Sequence, residues 1–204
     1  TDKLKTTVRQ TDAKRGDDRF EDAQAQLEWQ INPDHKLTGE VRQVRETRQG
    51  DAADGTLAAV RYSVKVKPEI EVYGVVQATL AKDAGYANND AVTIGAKYQT
   101  TDKLNLGVEA SDGARGDSLS VASEYKLNNK HTVYGNYTYS TDTTETDPLF
   151  GGNPEGLTLG QRYRISDQAS MFNESQWLKN PTERGLAHSF GMDFYPVTNT
   201  TLGF

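Results

Sequence analysis

Arg162 and Arg164 are separated by one residue. In an extended strand that spacing puts both guanidinium groups on the same face, and two adjacent guanidiniums would attract anions. Arg42, Arg61 and Lys97 occupy the same kind of position, on the polar phase of an alternating segment, and so do Glu28, Glu71 and Glu124. Nine basic and seven acidic residues at such sites nearly cancel. Facing one another they would form cross-strand ion pairs; arranged around water they would bias the passage of ions. Neither arrangement is a catalytic one. A nucleophile, a base and an orienting group are nowhere announced: His188 and Ser189 are adjacent and so face opposite sides of a strand, and His35, His131 and His188 are scattered. Without Cys there is no disulfide or thiolate metal site. The stretch Asp51 to Asp54 lacks the spacing of a calcium loop, and Gly151-Gly152 is followed by no helical pattern that would make a phosphate loop. The expectation is no catalytic residue, no metal, no cofactor and no enzyme.

What must position these charges is a set of strands. Apolar residues recur at every second position in segment after segment, the β period. Leu27, Trp29 and Ile31 alternate with Gln26, Glu28 and Gln30; Ile70, Val72, Gly74, Val76, Ala78 and Leu80 form one face of a longer run; Val92, Ile94, Ala96 and Tyr98 form another. Leu104, Leu106 and Val108, then Leu157 and Leu159 leading to Tyr163 and Ile165, then Leu186, Phe190, Met192 and Phe194, continue the habit. No segment of similar length keeps a helical period. Two kinds of connection separate the strands. Short ones carry turn chemistry: Asn32-Pro33-Asp34, Lys67-Pro68, Thr101-Asp102, Asn128-Asn129, Ser166-Asp167 and Thr198-Asn199. Longer polar ones are expected at Asp12 to Asp18, Gln49 to Gly55, Lys82 to Asp90, Asp112 to Asp117, Asp142 to Glu155 and Asn180 to Gly185. The result is a string of antiparallel hairpins with about 12–13 strands visible.

The chain also echoes itself. Thr1-Asp2-Lys3-Leu4 with Arg15-Gly16-Asp17 matches Thr101-Asp102-Lys103-Leu104 with Arg115-Gly116-Asp117, and Arg61-Tyr62 parallels Arg162-Tyr163. We read residues 1–204 as a single β-barrel domain or part of one, with an internal repeat of 1–100 and 101–196. The two Arg-Gly-Asp triplets are explained by shared loop ancestry rather than adhesion. Leu202-Gly203-Phe204 echoes the opening of the repeat, so more sequence is expected beyond it, and further strands or subunits are expected to complete the barrel.

Composition decides which way the apolar face points. Leu, Ile, Val and Phe make up roughly a fifth of the 204 residues, near the share at which disorder becomes a candidate. A net charge of -6 and 18 aromatic residues argue against disorder. An acidic balance, 29 acidic against 23 basic residues, argues against a nucleic-acid partner. About eight strands make a barrel that side chains can fill, whereas a dozen enclose a lumen that must hold water. An apolar lining for such a lumen makes no physical sense, so the apolar face belongs outside, against lipid. Trp29, Tyr98, Tyr125, Tyr163 and Phe194 all stand on the apolar face shortly before short turns, where an interfacial aromatic girdle would lie. A closed barrel also satisfies every backbone group without water. A soluble β-sandwich or solenoid remains as the alternative.

The segments Thr101 to Val108, Asn129 to Tyr137 and Gly156 to Arg164 resemble strands of Gram-negative outer-membrane β-barrels. They are similar in particular to the barrel regions of large OmpA-like or surface-exposed outer-membrane proteins. The resemblance implies an antiparallel up-and-down transmembrane β-barrel in the bacterial outer membrane, with the bilayer and lipopolysaccharide as its surroundings. Its expected role is a passive pore for small solutes or ions, lined by Arg42, Arg61, Lys97, Arg162, Arg164, Glu28, Glu71 and Glu124. The alternative role is a non-conducting anchor or scaffold for a larger surface protein.

Overall fold

In a computed structural model the chain is described over residues 3–48, 50–141, 155–179, 184–194 and 202–203. These residues form strands and turns and no helix. The strands are β1 (Leu4–Arg15), β2 (Asp18–Asn32), β3 (His35–Arg48), β4 (Asp51–Lys67), β5 (Ile70–Lys82), β6 (Ala91–Gln99), β7 (Leu104–Gly113), β8 (Ser118–Lys126), β9 (His131–Ser140), β10 (Glu155–Ser166), β11 (Ala169–Lys179), β12 (Arg184–Phe194) and the two-residue β13 (Leu202–Gly203). Hydrogen-bonded neighbours follow chain order throughout, so the sheet is a meander of twelve full strands with β13 paired at Asp193–Phe194. By contacts the chain divides into two compact units, Thr1–Ala96 with Ala110–Asp117, and Lys97–Glu109 with Ser118–Phe204.

In the first unit the register aligns Leu4 with Trp29, Trp29 with Leu37 and Leu37 with Tyr62, so the apolar positions of β1 to β4 share one face. That face is exposed: Val8 is 76% accessible and Val76 59%. The buried residues are on the opposite face, where Asp22 and Ser63 are 7% and 3% accessible, alongside Phe20, Val44 and Leu57. A sheet that buries carboxylate and hydroxyl while exposing Val is inverted relative to a protein folded in water. In the second unit Tyr137 aligns with Leu157 and Leu157 with Trp177 and then Leu186, again an exposed apolar row. Trp29, Tyr98, Tyr125, Tyr163 and Phe194 are all exposed on this apolar side, close to the short-turn ends of their strands.

Five of the six expected short turns join β2 to β3, β4 to β5, β6 to β7, β8 to β9 and β10 to β11. Asx-type capping holds two of them, with Asn32 Oδ1 accepting from the amides of Asp34 and His35, and Asn128 Oδ1 from those of Lys130 and His131. Thr198-Asn199 and the connections expected within Asp142 to Glu155 and Asn180 to Gly185, Gly151-Gly152 included, fall mostly outside the described residues. Two expected long loops are corrected. Asp12 to Asp18 and Gln49 to Gly55 are mostly strand: β1 runs to Arg15, β2 starts at Asp18, and β4 starts at Asp51. The reason is a ladder of ion pairs across the strands. Arg19 pairs across the hairpin with Asp12 at 2.8 Å and along its own strand with Glu21 at 2.6 Å, and Arg45 of β3 pairs with Asp54 of β4 at 2.9 Å. Gly16 at φ +63° and Gly50 at φ +94° make the tight reversals. Gly116 is left-handed as well, at φ +123°, so both Arg-Gly-Asp triplets place their glycine where a turn requires it. Asp54 is spent on Arg45, and among the described residues no acidic or imidazole groups gather as a metal site.

Candidate pore-lining face

On the polar face of the first unit, the register sets Arg42 diagonally across from Asp22 on the neighbouring strand. The guanidinium forks onto the carboxylate, Nε to Oδ1 at 2.7 Å and Nη2 to Oδ2 at 2.9 Å. Beside this pair the connection from β5 to β6 folds back over the sheet. Asp83 fastens it, accepting from the Asp54 amide at 2.9 Å and from the amides of Gly85 and Tyr86 at 3.0 Å each. Gln77 donates to the Asn89 carbonyl and Asp90 accepts from the Thr79 amide. Hydrogen bonding, that from the Thr79 amide foremost, holds the Asp90 carboxyl below its usual range. Tyr86 thereby lies across Gly55, where any Cβ would overlap the ring. Burial pushes its phenol up and Glu46 adds to this, while Asn89, Arg115 and Arg42 act in the opposite direction.

Lower on the same face Arg61 stacks on Tyr73, its guanidinium carbon 3.7 Å from the ring centroid. It also donates to Ser63 Oγ at 3.2 Å and reaches Glu71 at 3.4 Å. Tyr73 in turn covers Gly95 of β6. Glu28 sits between Lys5 at 3.6 Å and Lys36 at 3.7 Å. Four of the residues expected to line a pore, Arg42, Arg61, Glu28 and Glu71, thus lie on the polar face and are paired there. Lys97 is on β6, in phase with Gly95 and Thr93 and out of phase with the exposed Ile94 and Tyr98.

The second unit repeats the tyrosine-over-glycine device. Tyr134 lies across Gly160, its cross-strand partner, and its hydroxyl donates to Glu174 Oε2 at 2.9 Å; Gln176 donates to the other oxygen of Glu174. Glu124 is the partner of Tyr134 on β8. Arg162 is in phase with Gly160, within electrostatic reach of Tyr134, and among the described residues it has no carboxylate at ion-pair distance. Arg164 shares its face but is engaged with Asp167 of the following turn at 2.9 Å. The two arginines are therefore not equivalent. We expect Gly160→Val to destabilise the fold by about 1–3 kcal/mol through overlap with the ring, and Tyr134→Ala in the same chain to relieve that overlap. Urea unfolding in lipid vesicles followed by Trp fluorescence checks both; equal losses with and without Tyr134 would refute the contact.

Asp22, Tyr73, Tyr86 and Tyr134 were not marked out by sequence reasoning. For Tyr73 and Tyr134 the available signal was a glycine on the polar phase of the neighbouring strand. His188 contacts Ser175 rather than Ser189, Nδ1 to Oγ at 2.9 Å, on the exposed apolar face, with no carboxylate on its ring among the described hydrogen bonds.

No family model matches the chain. It is 28% identical to outer membrane protein X of Enterobacter cloacae over 152 residues, 67% of this chain and 86% of that protein. In structure it is similar to a triple mutant of Rhodopseudomonas blastica porin, with a TM-score of 0.58 at 10% identity, 91% of this chain and 84% of that one being covered. It is also similar to KdgM porin, with a TM-score of 0.52 at 12% identity, covering 94% and 98%. The exposed apolar face, the aromatic residues at the short-turn rim, the chain-order meander and these likenesses converge: the chain is an antiparallel up-and-down β-barrel of the Gram-negative outer membrane.

Proposed function

We propose that the barrel is a passive channel for small hydrophilic solutes and ions, without enzymatic activity, whose polar face lines the water path. The observation that carries this reading is the pairing on that face. Arg42 with Asp22, Arg61 with Glu71, and Glu28 with two lysines leave a surface that is charged yet nearly neutral over short distances. Such a surface holds water without trapping one sign of ion. The porin likeness supports the same reading. Arg162, an exposed cation with no carboxylate at ion-pair distance among the described residues, gives the lining a weak preference for anions, and Arg164, tied to Asp167, adds less.

Single-channel conductance in planar bilayers tests this. Stable, nearly ohmic steps are expected. One unit charge about 7 Å from an ion in water contributes about 0.6 kcal/mol, so Arg162→Gln should shift the anion-to-cation permeability ratio toward cations by about two- to threefold at about 0.1 M salt. Arg164→Gln should shift it less. The shift should shrink near 1 M, where the screening length falls from about 10 Å to about 3 Å. A heat-modifiable, inserted barrel that stays silent would replace the channel with an anchor for a larger, OmpA-like surface protein.

A further inference from the structure

The lipid-facing side of the second unit is not apolar throughout. Its register defines rows across β9 to β12. One row carries Tyr137, Leu157, Trp177 and Leu186, and another, toward the short turns, carries Tyr163, Met171 and Met192. Between them lie two rows that contain Ser175 with His188, and Gln161 with Asn173. Ser175 and His188 are in contact, and His131 Nε2 meets Gln161 Oε1 at 2.8 Å. Asn173 is exposed and its side chain makes no hydrogen bond among the described residues. The equivalent rows of the first unit, with Leu27, Val60 and Val76 in one and Val8, Val41 and Ala78 in the next, hold no amide or imidazole. In the middle of a hydrocarbon-facing band the Asn173 amide, and the capacity that Gln161 and His188 keep beyond their bonds to His131 and Ser175, lack the water that would satisfy them.

We propose that this face, centred on Asn173, is the contact between two copies of the chain in the membrane. Three observations select a second copy as the occupant. Asn, Gln, Ser and neutral His each donate and accept, so the patch is complementary to itself across a two-fold axis, as an isologous interface requires. It carries no carboxylate, guanidinium or ammonium that would call for an oppositely charged partner. It is bordered by Phe190, Met171, Met192 and Trp177, large or adaptable side chains of the kinds enriched at interface centres. The proposal holds whether or not the lumen conducts.

The chain has no Cys, so single cysteines report cleanly. Asn173→Cys, folded in outer-membrane vesicles and treated with a mild thiol oxidant, is expected to give a covalent dimer of the chain. Val76→Cys, on the lipid-facing side of the first unit, is expected to stay monomeric under the same treatment. In parallel, the wild-type chain is expected to have twice the monomer mass in mild detergent. Gln161→Leu with Asn173→Leu and His188→Leu should have the monomer mass while keeping its heat-modifiable migration. A monomeric wild type, equal crosslinking at both cysteines, crosslinking only to a different protein, or an unchanged dimer in the triple variant would each overturn the proposal. Loss of heat-modifiability in the triple variant would leave the cysteine comparison to decide.

Discussion

Val60→Arg is expected to destabilise the folded barrel by about 2–4 kcal/mol, the penalty for a guanidinium near the bilayer midplane on the lipid face. Val60 is exposed in the middle of the apolar band, between Gly39 on β3 and Val76 on β5. The neighbouring substitution Ala59→Arg points to the other side, between Glu40 and Gln77, and should cost less than about 1 kcal/mol because water and a carboxylate are at hand. The two substitutions have the same chemistry and adjacent positions, so their difference isolates the direction of the face. Equilibrium unfolding in vesicles measures it. Equal costs, or a larger cost at Ala59, would mean that the apolar face does not meet lipid.

The second large effect is expected at Asp22. Its carboxylate is almost wholly withdrawn from solvent, with a side-chain exposure of 8%, and Arg42 supplies both of its charged bonds. Arg42→Ala strands that carboxylate. Removing one partner of a buried pair costs about 3–5 kcal/mol, but the Arg42 side chain is 39% exposed, so water can reach the gap and the expected loss is about 2–3 kcal/mol. Asp22→Leu combined with Arg42→Leu should recover most of it, since the desolvation of both charges then disappears as well. A double-mutant cycle reads the coupling directly. A loss under about 0.5 kcal/mol for Arg42→Ala would show that Asp22 is hydrated in the membrane.

The features legible in the sequence are those encoded within a few residues. Alternation of period two placed Leu27, Trp29 and Ile31 on one face without any knowledge of a partner strand, and Asn32-Pro33-Asp34 carries its own turn chemistry. The girdle aromatics were visible because their distance from a short turn is a local quantity. What escaped depends on register. Asp12 reads as a loop residue, being charged and close to glycine, yet it lies on β1 and pairs across the hairpin with Arg19 of β2. Arg42 was visible as a polar-face cation, but that its partner is Asp22, twenty residues away, follows only from the alignment of β2 with β3. Tyr73 was in plain sight as an in-phase polar residue; that it covers Gly95 needed the position of β6. Asn173, Ser175 and His188 looked unrelated until the register placed them in adjoining rows.

Pairing in strict chain order has a consequence for how such a sheet is made. Until the barrel closes, no strand waits for a distant segment, so contact order within the meander is low for an all-β protein, and each hairpin closes only a short stretch of chain before its hydrogen bonds form. Assembly can therefore proceed by addition, one hairpin at a time. At every stage the growing sheet ends in an unpaired edge, a template for the next hairpin and equally for the edge of a neighbouring unfinished chain. Delivery of the next hairpin has to outpace that encounter, which makes the time between additions, rather than the stability of any one strand, the quantity on which successful biogenesis turns.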